Sequence, residues 1–100
     1  MRKDEIPVDL DTVKDIIKEL FKAKDIIRTS DIIRKYCGGF YSNKEIPASR
    51  SFNAQFGKLL KRNDEYLGIH EVRAGVSEKD DLDNPTTTSE WERSASSINT

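Results

Sequence analysis

Between Ser49 and Asn63 the chain reads SRSFNAQFGKLLKRN, with apolar side chains at Phe52, Phe56, Leu59 and Leu60. That spacing belongs to one face of an α-helix and is incompatible with the strict alternation of a half-buried strand. Ser49 stands at the N-cap position, just after Pro47, and sets the start. The opposite face carries Arg50, Asn53, Gly57, Lys58 and Lys61, with Arg62 at the flank. A helix of this kind anchors one stripe in a core and presents donors to an anion on the other. The rest of the chain therefore has to supply the core.

A second strong period does so. Val13, Ile16, Ile17, Leu20 and Phe21 recur at i, i+3, i+4, i+7 and i+8, after Asp9 or Asp11 as N-cap. Lys14, Asp15, Lys18, Glu19 and Lys22 cover the other side of this first helix and read as a solvated surface. Asp25–Arg28 is a short link whose two isoleucines lean toward strand. Thr29–Cys37 forms a short capped helix, with Ile32, Ile33 and Tyr36 facing inward and Gly38-Gly39 as its stop. A polar connection through Ala48 leads to the helix at 49–63. Tyr66–Val72 then alternates as a strand, with no partner strand of normal quality after it.

Residues 1–9 read as a lead-in and 10–76 as the folded domain. Beyond residue 76 the sequence SEKDDLDNPTTTSEWERSASSINT has no hydrophobic period. Ordering a residue costs about 1–2 kcal/mol, so a segment this polar is expected to stay disordered. The expected fold is mostly α with a small β element: three helices, a short strand pair, and a disordered acidic tail at 77–100.

Only 35% of the residues are apolar, against about 45–50% for an average globular chain when glycine is counted too, so part of the chain is expected outside the core. Net charge is −1, unevenly placed. Residues 1–76 hold 15 Lys/Arg against 12 Asp/Glu, or +3, and residues 77–100 hold 2 against 6, or −4. Within 44–62 five bases face one acid. No apolar run approaches the roughly 18 residues of a membrane span. Cys37 is alone, so no internal disulfide forms, and a reducing cytoplasmic setting is expected. Cys37 itself reads as a small buried residue. No cofactor, metal or catalytic role is expected: His70 is the only histidine, and there is no phosphate loop or metal-ligand spacing.

The order of helix, short strand, capped helix, third helix and strand resembles the winged-helix and helix-turn-helix DNA-binding superfamily over about residues 10–76. The resemblance is one of element order, without a signature motif. The connection after Gly38 runs about eleven residues, longer than the three or four of a tight helix-turn-helix. The resemblance implies that Thr29–Cys37 supports and the helix at 49–63 reads DNA. Arg50 and Asn53 then have the chemistry for guanine and adenine, and Gln55 joins them if it turns outward. Ser49 and Ser51 suit phosphate at a helix start. Lys58, Lys61 and Arg62 suit the phosphate backbone. Gly57 costs its helix about 0.5–1 kcal/mol and calls for a close approach, either by another helix or by a ligand backbone. The expected function is therefore a small regulator that binds DNA or RNA. The alternative is a protein-interaction module, an adaptor or inhibitor of a larger complex, that uses Trp91 in the tail or the Phe40-Tyr41 pair.

Overall fold

The computed structural model describes residues 8–41 and 52–94. Its elements in order are α1 (Leu10–Ala23), β1 (Ile26–Arg28), α2 (Thr29–Cys37), α3 (Phe52–Arg62), α4 (Asp64–Leu67), β2 (Ile69–Lys79) and β3 (Pro85–Arg93). The strands form one antiparallel sheet in the order β1-β3-β2.

Each helix follows from local chemistry. The Asp9 side chain accepts from the Asp11 amide at 3.1 Å and the Thr12 hydroxyl at 3.0 Å, which satisfies donors at the start of α1. Val13, Ile17 and Phe21 then bury one stripe. Asp31 accepts from the Arg28 amide at 3.0 Å and closes the first turn of α2. Gly38, at φ 88°, ends it in the left-handed conformation that glycine adopts without a Cβ penalty. Phe56, Leu59 and Leu60 of α3 are buried as the periodicity requires. Phe52 is half-buried and packs its ring 5.6 Å from that of Phe56.

The expectation of a mostly helical domain with a strand pair and a disordered tail is overturned. The four helices take 49% of the described residues and the three strands 30%, which makes the fold α+β. Residues 77–94, read as tail, complete β2, its turn and β3. Trp91 lies on the central strand, paired with Ile27 on one side and Glu71 on the other, and is 1% exposed. Burying so large a ring removes on the order of 150–250 Å² from water, which supplies the apolar area that the surrounding Ser and Thr lack. The expected strand at Tyr66–Val72 also shifts: Tyr66 and Leu67 belong to α4, Gly68 turns at φ 71°, and β2 starts at Ile69.

The hairpin does not project freely. Its turn is built on Asp80, whose carboxylate accepts from the amides of Leu82 (2.9 Å) and Asn84 (2.8 Å). The turn folds back onto the end of α2. There the Asp81 amide donates to the Phe40 carbonyl and the Phe40 amide donates to the Asp81 carboxylate, both at 2.9 Å. Arg34 completes the clasp, donating to Asp81 at 2.8 Å and to Glu78 at 2.9 Å. Register shifts between Glu71 and Arg73 and between Arg73 and Val76 bend β2. Gly75, at φ 67°, lies within the second of these.

Candidate nucleic-acid interface

The polar face of α3 looks across a cleft of about 500 Å³ at the hairpin. Asn53, Gly57, Lys58 and Lys61 line one wall. Glu71 and Gly75 of β2 and Thr87–Ser89 of β3 line the other. The cleft exists because the buried stripe of α3 turns toward the core while the bent hairpin, clasped to α2, passes in front of the helix.

The candidate residues are used unevenly. Ser49, Arg50 and Ser51 lie outside the described residues. Asn53 donates from its amide nitrogen to the Tyr41 carbonyl at 2.6 Å, so it ties the helix start to the end of the preceding segment. Lys61 places its ammonium 2.7 Å from Oε1 of Glu71. The Lys61 hydrogen bond, with a second from Ser89, holds the Glu71 carboxyl below the usual glutamate range, and Glu71 in turn raises Lys61. Lys58 and Arg62 are exposed and have no charged or hydrogen-bonded partner among the described residues. Gln55 does not turn outward; it is 4% exposed, on the core side of the helix.

Gly57 is the most informative position. A Cβ built there meets nothing within 4 Å. No helix among the described residues packs close enough to need a glycine, which removes the first of its two expected roles, approach by another helix. What remains is bare helix backbone facing an open cleft, beside two cationic side chains one residue and four residues further on.

Both anchors of the protein-interaction reading, apart from Tyr41, are used internally. Trp91 is in the core and Phe40 is 2% exposed under the hairpin turn; Tyr41 is 51% exposed. Cys37, expected to be buried, is exposed, and partial desolvation raises its thiol pKa, the opposite of an activated thiolate. Reading the sequence missed Glu71, Gly75 and Thr87–Ser89. The one local signal for the last of these was the β-branched run Thr86-Thr87-Thr88, which suits a strand. No group of three or more His, Cys, Asp or Glu side chains suited to a metal ion occurs among the described residues. No helix among them is long and apolar enough to cross a membrane. No family model, curated protein or solved structure matches the chain.

Proposed function

We propose that the chain is a small nucleic-acid-binding regulator that seats a phosphodiester backbone on the α3 face of this cleft. The observation that carries the reading is Gly57: an energetically unfavourable helix residue, unneeded for packing, beside the unpaired Lys58. A bare backbone lets a bulky ligand approach the helix closely, and Lys58 and Arg62 supply the cations that phosphates attract. The element order supports a winged-helix relationship for this α+β domain, with α3 as the element that meets the nucleic acid and α2 as its support. The lone Cys37, which has no second cysteine to pair with, supports a cytoplasmic location.

Anisotropy of a labelled mixed-sequence duplex tests the proposal at about 50 mM salt, where phosphate contacts are strong. Wild type should bind. Lys58→Glu and Arg62→Glu should each weaken binding, and Lys58→Ala should lower the salt slope by about one. Absence of binding by wild type, or binding by both charge reversals as tight as that of wild type, would discard it.

A further inference from the structure

A second concavity lies away from the α3 face. It is a groove of about 580 Å³ between α1 and the segment from α4 to Gly68, closed at one end by Arg93. Its floor shows only the edges of Ile17, Phe21 and Leu67, which are 2%, 8% and 4% exposed, and the exposed Tyr66 ring completes its apolar surface. Four cations, Lys14, Lys18, Lys22 and Arg93, stand around it; of the carboxylates, Glu65 lines it and Asp11 stands at its edge, bonded to Tyr66. An apolar floor under a cationic rim is the complement of a molecule with an apolar body and an anionic head.

The cations divide by what already holds them. Arg93 is fixed: its guanidinium lies 4.9 Å over the Phe21 ring and donates to the Phe21 carbonyl at 3.1 Å, which makes it an end wall. Lys22 pairs with Glu19 at 3.1 Å. Lys14 rests its ammonium 4.2 Å from the centre of the Tyr66 ring, a contact that leaves its hydrogen bonds open. Lys18 is exposed and has no partner among the described residues. Lys14 and Lys18 are one helical turn apart, about 6 Å along α1, so both can close on one anionic head. Tyr66 itself is held by a hydrogen bond from its hydroxyl to Asp11, which keeps the ring upright at the groove's edge.

We propose that this groove binds a small amphipathic organic anion, with its head on Lys14 and Lys18 and its apolar body against the Tyr66 ring and the exposed edges of Ile17, Phe21 and Leu67. The volume falls within the roughly 300–1,000 Å³ of small-molecule sites. A phosphodiester chain has nothing to place on the apolar floor, so the groove is not an extension of the α3 surface.

Decanoate and decyl phosphate share this chemistry and differ in the head; decanol lacks the charge and acetate lacks the body. Each is titrated into ¹⁵N-labelled protein and followed by amide NMR shifts. One or both of the long anions should bind saturably, with shifts centred on residues 14–22, 65–68 and 93, and whichever binds identifies the head. Decanol and acetate should give no saturable change there. Lys18→Gln alone should weaken binding, and Lys14→Gln with Lys18→Gln should weaken it at least about tenfold, as expected for losing two charge-assisted contacts. Glutamine keeps helix propensity, and the single change stands if the double one perturbs the fold. Failure of both long anions to bind, equal binding by decanol, or unchanged binding by the Lys18 variant overturns the proposal. None of these outcomes depends on Lys58 or Arg62.

Discussion

The indole N–H of Trp91 donates a 2.9 Å hydrogen bond to the hydroxyl of Thr29, and both residues are buried. The bond joins the central strand to the first residue of α2 across 62 positions of sequence. It satisfies the polar end of a ring whose body fills the core. The hairpin is therefore part of the domain's stability.

Trp91→Ala should destabilise the domain by about 3–5 kcal/mol, the usual cost of emptying an aromatic site in a core. Thr29→Val keeps the shape but strands the indole N–H, at a cost of about 1–3 kcal/mol. Urea unfolding followed by circular dichroism measures both. A chain ending at residue 76 should not fold, since it lacks β3 entirely.

The helices were legible in the sequence because their signals are local. Asp9, Gly38 and the stripes on α1 and α3 declare start, stop and face within a few residues. The hairpin was not, because its inward positions are largely polar and find their partners far away. Thr88 is buried with its hydroxyl accepting from the Ser30 amide at 3.1 Å, and Glu78 accepts from the Ser30 hydroxyl at 2.6 Å. Counted by composition these residues look solvated; only tertiary contact satisfies them. The candidate site divides the same way. Lys58 and Arg62 could be placed on an exposed face from periodicity alone. That Lys61 is engaged could not be read, because Glu71 reaches it only through the fold.

The clasp at the hairpin turn should make stability depend on acid pH. Asp81 accepts from the Phe40 amide and from Arg34, and these two contacts hold its carboxyl below the usual aspartate range. A depressed folded pKa contributes stability that is complete above the unfolded value, about 3.9. The contribution is lost as pH falls through the folded value. Wild type should therefore melt higher than Asp81→Asn at pH 7, and the gap should close progressively below about pH 4. Thermal melts of the two proteins across this range check the sign; a gap that widens in acid would assign the effect to another group.

Glu71 competes with any phosphate for Lys61. Glu71→Gln should release the ammonium while changing stability little, because exposed ion pairs contribute little. Nucleic-acid binding should tighten, and the salt slope should rise by about one as a further cation joins the contact. Lys61→Ala should conversely weaken binding less than Lys58→Ala in the wild-type background, and as much as Lys58→Ala when Glu71 is Gln. Anisotropy titrations of wild type, Glu71→Gln and the two lysine variants in each background, at several salt concentrations, decide this.

Gly57 separates stability from function most sharply. It sits in the interior of α3, its φ is not among the positive values, and the space beside it is open. Gly57→Ala should therefore stabilise the domain, by about 0.5–1 kcal/mol, because alanine orders more readily in a helix. A packing role would give the opposite sign. If the open backbone is where a ligand approaches, the same methyl should weaken nucleic-acid binding, and the larger Gly57→Leu should weaken it further without unfolding the helix. Urea unfolding and duplex titration on the same preparations read the two effects side by side. A more stable Gly57→Ala protein with unchanged affinity, matched by Gly57→Leu, would show that no ligand comes close to α3 at this point, and the nucleic-acid reading would lose the observation it rests on.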